Sequence, residues 1–262
     1  MTLETLKVER AGAVARVTLS RPDVRNAFDE RMIAELTEVF AAFSPPDGTR
    51  AVVLSGEGKT FCAGADVNWM RRAASFSREE NIEDAQRMAC MLRTIDTCAV
   101  PVVGEIRGAA IGGGVGLTAV CDVAIAAEGT VFSLAEIKLG ILPAAISPYV
   151  LRAIGARNAR DVFLTGERFD AAEAKRIGLV HDVVAPGELA DAVERKVASI
   201  ATSGPEAVAA AKRLIDVVSG LGIEESFSVT VAAIAERRAS EEGREGLSAF
   251  LEKRKPSWIS GK

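Results

Sequence analysis

Histidine is nearly absent: His181 is the one imidazole in 262 residues. That excludes histidine-rich metal centres, and a Ser-His-Asp hydrolase would have to be built on this single residue. The four cysteines, at 62, 90, 98 and 121, form no C-x-x-C pair, which argues against a zinc knuckle or a disulfide scaffold. Long hydrophobic runs are missing too. The longest stretch without charge, 108–121, has 14 residues and is rich in glycine, too short and too flexible to cross a bilayer. The opening MTLETLKVER lacks the apolar run of a secretion signal, so the cytoplasm is the expected setting. Neither sign of charge dominates, with 32 basic and 36 acidic side chains and a net charge of −4. This speaks against a nucleic-acid partner or a membrane partner.

What is present is ordinary for a soluble globular protein: 48% hydrophobic and 26% charged residues. The length suits one large domain with an appendage better than two equal halves. Val14, Val17 and Leu19 belong to a short β-branched run that ends at Arg21-Pro22-Asp23. Over 29–43 the apolar residues Met32, Ile33, Leu36, Val39, Phe40 and Phe43 recur at helical spacing, and Ser44-Pro45-Pro46-Asp47-Gly48 stops that helix. Residues 51–54 read as a buried strand. Ser77 and Glu80 have capping-box spacing and predict a helix to about Asp96. Further strands are expected at 101–103 and 123–126, the second after a short glycine-initiated helix. Beyond 145 helical signals dominate, with a break at Ser203-Gly204-Pro205. The pattern predicts an α/β fold with a helical C-terminal extension, divided as a core over 1–203 and a helical segment over 204–262.

Several familiar motifs fail. Gly58-Lys59-Thr60 ends like a P-loop, but Val53 stands where its first glycine belongs. A dinucleotide fingerprint counted from Gly112 would need glycine at Leu117. No G-x-S-x-G elbow occurs. Two loops remain, F-C-A-G-A-D (61–66) and G-A-A-I-G-G-G (108–114), each following a strand and leading into a helix. Small residues allow close backbone approach, and amides at a helix start are free to donate. Two such loops face to face can hold one oxygen between two N–H groups, an oxyanion hole. Tight strand–helix packing is the alternative account of such turns.

Together with R-P-x-x-x-N-A (21–27), F-S-L-A-E-I-K-L-G-I-L-P (132–143), L-T-G-E-R-F-D-A-A-E-A-K-R-I-G-L-V (164–180) and F-L-E-K-R-K-P (250–256), these loops resemble the enoyl-CoA hydratase/isomerase, or crotonase, superfamily. The six motifs span nearly the whole chain in order. The resemblance implies a spiral of ββα units with a helical C-terminal segment that assembles as a homotrimer or a dimer of trimers. It implies an acyl-CoA thioester substrate and no separate cofactor or metal, coenzyme A being part of the substrate. The backbone N–H groups of Ala65 and Gly113 would be the oxyanion donors. Glu136 would be the acid/base, a carboxylate among apolar neighbours whose pKa should be raised. Ala63 and Asp66 would bind CoA, with Phe250 and Lys253 reaching its nucleotide, often from a neighbouring subunit; Arg254 and Lys255 add charge for its phosphates.

Two departures matter. The hydratase pattern G-G-G-x-E falls on residues 112–116, so Gly116 stands where a second glutamate is expected. The usual glycine-rich run after the catalytic glutamate is replaced by A-A-I-S-P-Y-V (144–150), which resembles bacterial methylglutaconyl-CoA hydratases. A hydratase of that kind is the leading expectation. A Δ3,Δ2-enoyl-CoA isomerase with the same residues, and a catalytically weak binding protein on the same fold, are the alternatives. His181, Cys62, Met88, Met91 and Leu92 are expected to be structural, while Trp69 could line the acyl pocket or brace the helix after it.

Overall fold

The computed structural model describes residues 3–260. Strand β1 (Leu6–Ala11) pairs antiparallel with β2 (Val14–Leu19). Helix α1 (Glu30–Ala41) starts at Asp29, whose carboxylate accepts the Met32 N–H, and buries Met32, Ile33, Leu36 and Phe40 on one face. Strand β3 (Ala51–Gly56) follows, then α2 (Val67–Ala73) and α3 (Arg78–Asp96). Both halves of the Ser77–Glu80 capping box are formed. Next come β4 (Val102–Ile106), β5 (Ala109–Ile111), α4 (Gly113–Ala119), β6 (Val123–Ala127) and β7 (Val131–Ser133). After α5 (Ser147–Thr165) the chain forms β8 (Arg168–Asp170), α6 (Ala171–Ile177), β9 (Asp182–Val184) and α7 (Leu189–Ala201). Four helices close it: α8 (Pro205–Ser219), α9 (Ile223–Ala239), α10 (Glu241–Leu251) and α11 (Ser257–Ser260).

The strands form two sheets. The larger has the order β1-β2-β3-β4-β6-β9, parallel from β2 onward, and the smaller the order β5-β7-β8. Successive units place one strand in each sheet: β4 then β5 before α4, β6 then β7 before α5. That is the spiral of ββα units that the resemblance implies. Parallel strands need cover on both faces. Val53, Val103 and Ile125 pack on one side with Leu189, Val193 and Val197 of α7, while Val17, Val52 and Leu54 pack on the other with Leu36, Met91 and Leu92.

Sequence reading located α1, β3, α3, β4 and β6 to within a few residues and gave helical character without bounds beyond 145, but it did not show β1 or the short strands β5, β7, β8 and β9. In β1 only Leu6 is buried, so Lys7, Glu9 and Arg10 break the apolar alternation of an edge strand. A three-residue strand is shorter than any period. The segment 108–114, read as one loop, contains β5. Among the described residues no helix is long and apolar enough to cross a membrane.

The R-P-x-x-x-N-A turn between β2 and α1 positions the site. Asn26 is fully buried and left-handed, with φ 55°, a region asparagine tolerates better than most residues. Its Nδ2 donates to the carbonyls of Glu57 (2.9 Å) and Thr60 (2.7 Å), and its Oδ1 accepts the Arg21 N–H (2.9 Å). Arg21 donates to the Ala27 carbonyl at 2.6 Å and to Asp66 Oδ2 at 2.9 Å. The turn thus holds both ends of the 57–66 loop. Asn26→Ala is expected to destabilise the protein by about 3 kcal/mol in urea unfolding, because three backbone groups lose partners and alanine resists the left-handed backbone.

Candidate active site

The two small-residue loops meet as neighbouring strands would. Cys62 bridges Ala110 and Ala65 bridges Phe28, both in parallel sense. Around Ala65 the bridge bonds run from Phe28 N to Gly64 O (2.7 Å) and from Asp66 N to Phe28 O (2.7 Å). They pass either side of the Ala65 N–H, which finds no acceptor among the described residues. Gly113 opens α4, so its N–H has no helical partner, and it too is unpaired. Gly64 has φ +89°, and a Cβ there would lie 2.8 Å from the Ile111 carbonyl oxygen and 4.0 Å from the Gly113 nitrogen. Only glycine permits this approach. The structure therefore brings the expected donors Ala65 and Gly113 together, each with a free amide.

Glu136 sits in a 3-10 turn over 135–139, between β7 and α5. Its carboxylate lies against Gly112, where a Cβ would come within 2.6 Å of Oε1. The acid/base candidate thus lies against the residue next to Gly113, an expected oxyanion donor. Oε2 is buried with no hydrogen-bond partner. Burial pushes the carboxyl above its ordinary pKa, outweighing a backbone hydrogen bond that lowers it. The raised pKa expected from its apolar neighbours is present.

Position 116 is closed rather than empty. A Cβ on Gly116 would lie 2.9 Å from Ile146 Cβ and well inside contact with its Cγ2. Ile146 is 3% exposed and lines the cavity, whereas Gly116 does not. An isoleucine from the A-A-I-S-P segment thus fills the space where a second carboxylate would emerge.

Both donors and Glu136 line one cavity of about 600 Å³. Phe28 covers Gly113, and Met88 lies beside it. Met91 and Leu92 are buried as expected, but Met88 faces the cavity. Trp69 fills both roles considered for it, lining the cavity and donating from Nε1 to Asp84 Oδ1 at 3.3 Å. Ala63 and Ala65 also border a second cavity of about 300 Å³ with Arg25 and Asp66. Asp66 is engaged structurally: it caps α2 through the Asn68 and Trp69 N–H groups and pairs with Arg21. Burial alone would raise its pKa, but these donors hold it below the ordinary value. Its side chain is therefore committed, and so is its backbone, whose N–H donates to the Phe28 carbonyl and whose carbonyl accepts the Met70 N–H.

Phe250, 80% exposed at the end of α10, and Lys253 just beyond it line neither cavity of this chain. Arg254 is held by Glu245 and Glu252, which removes it as a free phosphate partner. Cys62 is fully buried and its thiol is pushed up to about 12 by burial, as an inert packing residue would be. His181 Nδ1 accepts the Ala124 N–H (3.1 Å), joining the entry of β9 to β6. Among the described residues no group of three or more His, Cys, Asp or Glu side chains could hold a metal. Sequence reading missed Phe28, Asp84 and Ile146, which become visible only once distant segments are packed. Asn26 and Arg21 were inside a quoted motif whose role was unassigned.

Two free amides beside a desolvated carboxylate define a site that can stabilise an enolate and move a proton next to it. The chain belongs to the enoyl-CoA hydratase/isomerase family, whose sequence model matches residues 9–261. It is similar to an enoyl-CoA hydratase from Shewanella pealeana of known crystal structure, 40% identical with a TM-score of 0.93 over 98% of this chain and 96% of that one. Pseudomonas aeruginosa AtuE is 39% identical, with a TM-score of 0.93 over 97% and 99% of the two chains. The crotonyl-CoA hydratase of Syntrophomonas wolfei is 31% identical over 99% of this chain and 100% of its own length.

Two stability measurements test this geometry. A carboxyl whose folded pKa is raised contributes stability that is present below the unfolded pKa and lost as pH rises through the folded value. Glu136→Gln should therefore be at least as stable as the parent at neutral pH, with an advantage that shrinks in acid. Gly116→Ala should cost about 1–3 kcal/mol by overpacking against Ile146. Combined with Ile146→Ala it should cost less than the sum of the single changes.

Proposed function

We propose that the protein catalyses reversible hydration of a 2-enoyl-CoA thioester, with Glu136 as the acid/base and the amides of Ala65 and Gly113 as the oxyanion hole. The observation that carries the reading is the unpartnered Oε2 of the Glu136 carboxylate near an unpaired Gly113 N–H. Glu136 takes a proton from water as the water oxygen bonds to C3. Charge moves through C2 onto the thioester oxygen, where the two amides hold it. Glu136 then returns the proton to C2. The product carries hydroxyl on C3 and hydrogen on C2, and the carboxylate is regenerated. A preorganised donor of this kind contributes about 3 kcal/mol to the transition state.

Closure of position 116 by Ile146 favours a second reading, double-bond isomerisation. There the same carboxylate carries a proton between C2 and C4 and no water is consumed. The likeness of 144–150 to methylglutaconyl-CoA hydratases makes the 3-methylglutaconyl thioester a substrate to test. The CoA moiety is assigned to the surface around Ala63, Ala65 and Asp66, with Phe250 and Lys253 supplied by a neighbouring subunit. A homotrimer or a dimer of trimers is part of the proposal, with residues 204–262 as its oligomerisation segment. Helix α9 supports it, since Ile223, Phe227, Val231 and Ile234 are exposed along it and it buries no residue. The cytoplasmic setting expected from the sequence belongs to the same reading.

Mass spectrometry of products from 2-enoyl and 3-enoyl thioesters separates the two reactions. A gain of one water is expected; a shifted double bond at unchanged mass would make the enzyme an isomerase. Glu136→Gln should lower kcat about 100- to 10,000-fold, the usual range for a general acid/base, with thioester binding retained. Undiminished turnover would remove Glu136 from the chemistry.

A further inference from the structure

The acyl cavity carries no positive charge. Among the described residues, its lining includes no lysine, arginine or histidine, and its charged members are Glu136 and Asp84. Helix α3 sets where Asp84 lies. Met88 approaches Gly113, its Cε 3.1 Å from where a Cβ would be, and Ala85, Asp84 and Asn81 continue along the same helix face, one to two turns nearer its N-terminus. A chain whose thioester oxygen sits at Gly113 therefore has Asp84 on the wall beyond Met88. Around it the lining is apolar, with Met70, Leu139, Ile141 and Leu142.

Asp84 does not attract a second anion by lending its partners. Oδ1 accepts Trp69 Nε1 (3.3 Å) and an Arg87 guanidinium nitrogen (3.2 Å). Arg87 is half exposed, does not line the cavity, and is held by Asp84 itself. An acyl group ending in a carboxylate would share the cavity with the Glu136 and Asp84 carboxylates, with no cation on the lining to meet it, and such like-charge juxtaposition opposes binding. An uncharged branched or straight chain meets Met70, Leu139, Ile141 and Leu142 there and brings no charge to Asp84.

Resting on the acyl-CoA reading of this cavity, we propose that it selects acyl groups with an uncharged end, and that Asp84 is the residue that discriminates against a terminal carboxylate. The 3-methylglutaconyl group, which ends in one, is then a poor substrate, despite the likeness of 144–150 to hydratases of that thioester.

The test is calorimetric binding of isovaleryl-CoA and 3-methylglutaryl-CoA, saturated thioesters that share a branched chain and differ by one terminal carboxylate. The full-length protein should bind isovaleryl-CoA tighter by about tenfold or more, as expected where a ligand carboxylate is set beside a like charge. Asp84→Asn should narrow that ratio, and Ala85→Arg, which sets a cation on the same face, should narrow it further or invert it. Equal or tighter binding of 3-methylglutaryl-CoA by the parent protein overturns the proposal, as does a ratio that neither variant moves. Failure of both thioesters to bind overturns it together with the acyl-CoA reading. Because neither thioester can be hydrated, the preference is read apart from turnover. Selective binding without hydration of crotonyl-CoA would retain this inference and remove the hydratase reading.

Discussion

Two backbone N–H groups must be left without partners and yet held still. An unpaired amide in a folded interior is costly, so chains normally satisfy it. Here the neighbouring bonds are complete while Ala65 and Gly113 stay free. The Phe28 bridge takes the Gly64 carbonyl and the Asp66 N–H on either side of Ala65, and the start of α4 leaves Gly113 without an upstream carbonyl. Close approach at Gly64 sets the spacing of the two loops, and Asn26 and Arg21 fasten the first loop to the turn before α1. The larger sheet, α1 and the packing of Phe28 supply the rigidity that lets two uncompensated donors persist.

Glu136 is the matching cost on the acidic side. Its carboxylate is desolvated and one oxygen has no partner. An isolated buried carboxyl is poor for stability and useful for proton transfer, since a raised pKa brings it nearer neutrality. The apolar character of the cavity is consistent with this. Gly116 and Ile146 act as a pair, the loss of a side chain on α4 being matched by an isoleucine from the segment before α5. On the proposed mechanism Glu136 is the one proton carrier, and the reaction passes through it twice.

Much of this was legible in the sequence because it lies in local signals. Ser77 and Glu80 announced α3, the apolar spacing of 29–43 announced α1, and the two small-residue loops stood out once the P-loop and dinucleotide patterns failed. Glu136 was picked out by the family resemblance, and its apolar flanks pointed to a raised pKa. The short strands were not legible, since three residues carry no period and their pairing partners are distant in sequence. Nor was the role of Ile146, because its contact with Gly116 joins positions thirty residues apart. Asp66 shows the opposite limit: its motif position was clear, but the capping and ion-pair bonds that occupy its carboxylate appear only in three dimensions.

The central claim is that Glu136 and the two amides together form an enolate at a CoA thioester. Exchange of the α-hydrogens of butyryl-CoA with D₂O, followed by NMR, tests that step alone, because a saturated thioester can be neither hydrated nor isomerised. The account predicts exchange with the parent protein and its loss with Glu136→Gln under conditions where the thioester still binds. Exchange that continues at the parent rate in Glu136→Gln, or is absent from the parent protein with butyryl-CoA bound, would contradict it.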